Sequence, residues 1–144
     1  MAQRSWTELF FLDEAIALAA GHRPCFACRR VEAEKFRAAW CAAAHVDNVS
    51  APEMDAVLHR ERLNARVKRI HELAMPIDRL PDGVVVAYDE QAFTMFRGLG
   101  FRWTERGYET PRKLRHADGL ITPPSTLRAI VAGYRPALHP TIEL

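Results

Sequence analysis

Leu80-Pro81-Asp82-Gly83-Val84-Val85-Val86-Ala87 is the stretch at which the chain changes character. Pro presets φ and Gly accepts positive φ, so Pro81-Asp82-Gly83 reads as a turn, and the β-branched run behind it reads as a buried strand over 84–87. Downstream, 101–104, closed by a turn at Gly107, and 119–122 read as further strands. A short final helix is expected from Ser125, after Pro123-Pro124, to Gly133. Upstream the pattern is helical. Asp13 is placed to cap a segment over 14–20 that Gly21 ends, behind a strand-type apolar run at 9–12. Strong helix formers fill 31–44, with Phe36, Trp40, Ala43 and Ala44 on one face. Ser50 and Glu53 form a capping-box pattern for a helical region reaching about Met75, before Pro76. Its apolar rows, Met54, Val57 and Leu58, then Leu63, Val67, Ile70 and Ala74, are offset by a five-residue step, which predicts a bend near His59 or two helices. The expected fold is α+β: a helical N-terminal half over about 1–76, with a small antiparallel sheet in the C-terminal half over about 80–144, in a single domain 1–144.

Composition sets outer bounds. A chain of 144 residues, 49% hydrophobic and 26% charged, buries roughly two-thirds of its unfolded surface and needs neither metal nor disulfide merely to fold. A net charge of +2 is too mild to imply nucleic-acid binding by itself. With no membrane-length apolar run and no signal-peptide pattern at the N-terminus, the protein is expected to be cytoplasmic. Three cysteines, two of them close together, do not make the disulfide framework of a secreted domain.

The paired thiols Cys25 and Cys28 carry the strongest chemical signal, because two thiolates separated by a two-residue turn can hold one ion from the same side. One such pair is half a tetrahedral zinc site. Cys41 and His45 complete finger-like spacing, Cys25-x2-Cys28-x12-Cys41-x3-His45, but a continuous helix from about Val31 puts Cys41 roughly 15 Å along its axis. Cys41 then reads as a small buried residue. His22, adjacent in sequence, and His116 or His139 are further ligand candidates. The same thiols allow dithiol–disulfide cycling, although a helix rather than a strand precedes them. They also allow plain reduced thiols in a tight turn. A nucleobase-deaminase reading fails, since no His-x-Glu precedes Pro24.

The segment Phe10-Phe11-Leu12-Asp13-Glu14-Ala15-Ile16-Ala17-Leu18-Ala19-Ala20-Gly21-His22-Arg23-Pro24-Cys25-Phe26-Ala27-Cys28-Arg29 resembles the second half of the zinc-binding domain of Ada-type DNA-repair proteins. In that family a short strand, an Ala-rich helix and a Gly-aromatic-Arg-Pro turn lead to a cysteine pair that supplies two of four thiolates on zinc. The resemblance implies that Cys25 and Cys28 are zinc ligands. The family's other two cysteines, one of them the methyl acceptor, precede the strand; no cysteine precedes Cys25 here, so methyl transfer is not expected. Phe26-Ala27 also replaces the basic residues usual between the thiols.

Basic residues suggest a partner. Arg62, Arg66 and Arg69, with Arg60 and Lys68 nearby, recur at helical spacing as a stripe suited to phosphates. Arg23, Arg29 and Arg30 flank the thiols. Arg102, Arg106, Arg112, Lys113 and Arg115 accompany Trp103 and Tyr108, a mixture that can hold a backbone and stack bases. His59 with Glu61, His71 with Glu72, and His116 with Asp118 are acid/base candidates, unaccompanied by a nucleophile elbow, phosphate loop or His-Glu-x-x-His motif. The expectation is a small protein of bacterial type, zinc-containing through Cys25 and Cys28, associating with nucleic acid through its basic face. An enzyme using a His/carboxylate pair, and a homodimer formed through an apolar face including Trp40, are the alternatives.

Overall fold

The computed structural model describes residues 13–64 and 67–142. The chain is α+β. Helices α1 (Glu14–Ala19), α2 (Arg30–Ala44) and α3 (Ala51–Arg62) come first, and a two-stranded hairpin of β1 (Leu63–Asn64) and β2 (Val67–Lys68) follows. Strands β3 (Val85–Tyr88), β4 (Gln91–Phe96), β5 (Leu99–Thr104), β6 (Gly107–Tyr108) and β7 (Gly119–Leu120) form the main sheet, and α4 (Pro124–Val131) closes the order. The sheet runs β6-β5-β4-β3-β7, with every pairing antiparallel. The expected strand at 9–12 lies outside the described residues.

Local chemistry sets the N-terminal helices. The Asp13 carboxylate accepts from the Ile16 N–H at 3.1 Å and caps α1, and Gly21, at φ +95°, terminates it. The Ser50 hydroxyl accepts from the Glu53 N–H while the Glu53 carboxylate accepts from the Ser50 N–H, so the expected capping box is formed. Helix α2 buries Ala33, Phe36, Ala39 and Trp40, packing chiefly on α4, and Phe36 meets Tyr134 edge-on with ring centroids 5.2 Å apart.

Two expectations are corrected. The helical region after Ser50 ends at Arg62 rather than near Met75, and a hairpin replaces the second helix. The stop is tertiary. The Arg69 N–H donates to the Arg62 carbonyl at 2.8 Å, the Arg69 guanidinium to the Arg60 carbonyl, and the His71 ring to the Glu61 carbonyl. Three of the carbonyls that a helix end leaves without partners are thereby satisfied. Trp40, on which the dimer alternative rested, is not a surface residue: it is 7% exposed, within the same buried cluster as Val86, Phe93 and Ile130.

Candidate functional site

The turn between α1 and α2 carries the thiols. The Arg29 N–H closes it on the Cys25 carbonyl at 2.8 Å, and the Cys28 N–H points at Cys25 Sγ at 3.4 Å. Both cysteines are exposed. That geometry makes them unequal. The Cys25 thiol is held below the ordinary cysteine value, first by the Cys28 N–H, then by the Ala27 N–H and the Cys28 side chain, with a smaller contribution from the Arg23 charge. The Cys28 thiol is pushed up, because it hydrogen-bonds to Cys25 and faces the charge that Cys25 acquires on ionising.

Two tethers hold the turn. The Arg23 guanidinium grips the Asp55 carboxylate of α3 with both ends, at 2.7 and 3.0 Å, donates to the Pro24 carbonyl, and lies 5.4 Å from the centre of the Phe26 ring. Arg37 covers the same ring at 4.6 Å. On the other side Arg29 donates to Glu14, whose nearly buried carboxylate also accepts from the Tyr134 hydroxyl and the Ala137 N–H. Asp13 adds a second link to the C-terminal segment, accepting from the Tyr108 hydroxyl and the His139 N–H.

A cleft of about 850 Å³ opens beside the thiols, between the end of α1 and one face of α3. Cys25, His22, Asp55, His59 and Arg62 line it. Arg62 lies across Gly21 so closely that a Cβ there would sit 2.4 Å from its Cδ, and its guanidinium reaches His59 Nδ1 at 3.4 Å. Glycine at position 21 is therefore required twice, by the positive φ and by the approach of Arg62. A smaller cleft of about 420 Å³ shares His22, Arg23 and Cys25 with the first and is otherwise lined by Glu14, Leu18 and Arg29.

The expected ligands are only partly assembled. His22 shares both clefts with Cys25. Cys41 does not approach the pair: α2 is continuous from Arg30, which places Cys41 about 16 Å along the axis. His45 lies beyond it as the left-handed C-cap, so the finger arrangement is not formed. Among the described residues no cluster of three or more His, Cys, Asp or Glu is placed to hold a metal ion. Cys25 and Cys28 thus offer two sulfur donors, half the number that a tetrahedral zinc set uses.

The basic residues divide similarly. Arg23 and Arg29 are bound to carboxylates inside the fold, whereas Arg30 is largely exposed on the first turn of α2, 3.7 Å from Glu34. The helical stripe is corrected: with α3 ending at Arg62, Arg69 returns beside it across the hairpin, and Arg66 lies outside the described residues. In the C-terminal half Arg102 pairs with Glu109, Arg112 covers Tyr88 and Phe93, and Tyr108 is buried rather than presented for stacking.

The acid/base candidates are otherwise engaged. Glu61 accepts from the Ser125 N–H and hydroxyl at the start of α4, His71 donates to the Glu61 carbonyl, His116 meets Tyr88 edge-on, and Asp118 accepts from the Asp89 N–H. Of these acid/base candidates, His59 lines the cleft. Asp55, whose carboxylate fixes Arg23 across the cleft, carries no sequence signal that singles it out. Comparison with family models, curated proteins and solved structures gives no match. Among the described residues no helix is long and apolar enough to cross a membrane.

Proposed function

We propose that the protein is a zinc-thiolate module that associates with nucleic acid through the cleft beside Cys25. The observation that carries this reading is an exposed thiol pair of which one member, Cys25, receives a backbone N–H and lines a cleft that it shares with His59, Arg62 and the Arg23–Asp55 ion pair. Zinc, when bound, would draw the helical turn and the cleft wall into one rigid surface; Cys25 and Cys28 would supply its thiolates, with His22 the nearest protein donor in sequence. The likeness of residues 10–29 to the Ada zinc domain supports the same assignment.

Phosphate contact is assigned to Arg62, Arg69 and Arg30, with His59 beside Arg62. The Arg62 guanidinium donates toward His59 Nδ1 at 3.4 Å, which leaves its remaining N–H groups to meet a phosphate beside the cleft. Arg23 and Arg29 act as positioning residues, because their charges are already met by Asp55 and Glu14.

The test is the salt dependence of binding to a labelled oligonucleotide, measured by fluorescence anisotropy. Each phosphate contact contributes about 0.9 to the log–log slope on duplex DNA and about 0.7 on single strands. Arg62→Gln with Arg69→Gln is expected to lower the slope by about 1.8 or about 1.4 respectively. Binding that is absent at low salt, or a slope unchanged in the double variant, overturns the reading.

A further inference from the structure

We infer that Cys25 and Cys28 also form a working dithiol–disulfide couple, in which Cys25 attacks a small-molecule disulfide and Cys28 resolves the product. The inference concerns the metal-free dithiol and stands on geometry that the zinc reading does not need. The turn closed by the Arg29 N–H on the Cys25 carbonyl, with the Cys28 N–H 3.4 Å from Cys25 Sγ, keeps two Cα atoms three residues apart within about 7 Å, the range in which a disulfide can be bridged.

The two sulfurs have different surroundings. Cys25 lines both clefts, so an incoming disulfide can reach it there, and the Cys28 N–H supports its sulfur. Cys28 lines neither cleft and sits one turn on, at the position from which it reaches the Cys25 sulfur. Cys41, half-buried on α2, is too distant to substitute for either. The ion pairs of Arg23 with Asp55 and of Arg29 with Glu14 tether the turn to α3 and α1 on either side of the thiols.

The chemistry balances with a glutathione-type disulfide as oxidant. The Cys25 thiolate attacks one of its sulfurs, forming a mixed disulfide and releasing one small thiolate, which takes up a proton. Cys28, as thiolate, then attacks the Cys25 sulfur, closes the Cys25–Cys28 bond and releases the second small thiol. Two electrons leave the protein dithiol and reduce the incoming disulfide to two thiols.

Chelator-stripped protein is incubated with oxidised glutathione, quenched with acid at intervals, and mapped by peptide mass spectrometry. The wild type is expected to gain an internal Cys25–Cys28 disulfide with little mixed disulfide. Cys28→Ser should accumulate a glutathionyl group on Cys25, and Cys25→Ser should be modified on Cys28 at least tenfold more slowly. Equal rates in the two variants, stable glutathionylation of the wild type, or an unreactive wild type overturns the inference. Both substitutions are on exposed side chains, and circular dichroism confirms folding of each variant. Failure of the zinc reading is seen separately, in the metal content of the protein before chelation.

Discussion

Replacing Glu14 with Ala should loosen the frame that holds the thiol turn, and the structure supplies the magnitude. The carboxylate accepts from Arg29 at 2.8 Å, from the Tyr134 hydroxyl, and from the Ala137 N–H at 2.8 Å. Tyr134 is 4% exposed, and its hydroxyl, whose pKa burial and the Glu14 charge both raise, has no ready access to water once its acceptor is gone. A hydrogen bond to a charged group contributes about 1.5–3 kcal/mol, whereas the partly exposed Arg29 and Ala137 donors rehydrate and lose about 0.5 kcal/mol each. The sum is about 3 kcal/mol. A chain of 144 residues unfolds with an entropy of about 0.3 kcal/mol/K, so Tm should fall by about 10 °C. Glu14→Gln keeps one acceptor oxygen and should lose about half as much. Thermal unfolding followed by circular dichroism reads both. The Glu14→Ala and Tyr134→Phe double-mutant cycle should give a coupling of about 1 kcal/mol. A Tm change below about 2 °C for Glu14→Ala, or zero coupling, refutes the clasp.

Three further outcomes follow from other parts of the fold. The β3–β4 turn places Asp89 and Glu90 at φ 53° and 61°, both in the left-handed region, so Asp89→Asn with Glu90→Gly should stabilise by about 1 kcal/mol and raise Tm by about 3 °C. A lowered Tm would show that this hairpin is held by something other than its turn. Gly21→Ala, strained by its φ and pressed on Arg62, should destabilise by about 1–3 kcal/mol and weaken oligonucleotide binding as Arg62 is displaced. Unchanged stability and binding would contradict the close packing. The Glu53 carboxyl is held below the ordinary glutamate value by its hydrogen bonds to Ser50. Its contribution is therefore present above the unfolded value of about 4.3 and is lost as pH falls through the lower folded one. NMR titration should place its midpoint below the ordinary glutamate value of about 4.3, and a midpoint at or above that value would rule out the hydrogen bond from the Ser50 N–H.

What the sequence discloses follows the range of the interactions. The caps at Asp13, Gly21 and Ser50-Glu53 are legible because each acts within a few residues. Strand β4 is not. Its lead-in turn uses Asp89-Glu90 in a conformation that Asn-Gly ordinarily signals, and four consecutive buried residues, Ala92 to Met95, hide the alternation that marks a half-exposed strand. The end of α3 is equally silent, since no Gly or Pro follows Arg62, and donors from Arg69 and His71 stop the helix. At the site, the thiol turn is visible as a motif. The cleft is not, because it depends on Arg23 meeting Asp55, a residue 32 positions away.

The thiolate assignment is tested most directly by the metal content of the protein as purified, with Cys25→Ser/Cys28→Ser alongside. Zinc bound by the wild type at up to one ion per chain, and lost in the double variant while its circular dichroism is unchanged, is the predicted result. A metal-free wild type that takes up no added zinc, with Cys25 and Cys28 both reacting at once with a thiol reagent, would contradict it.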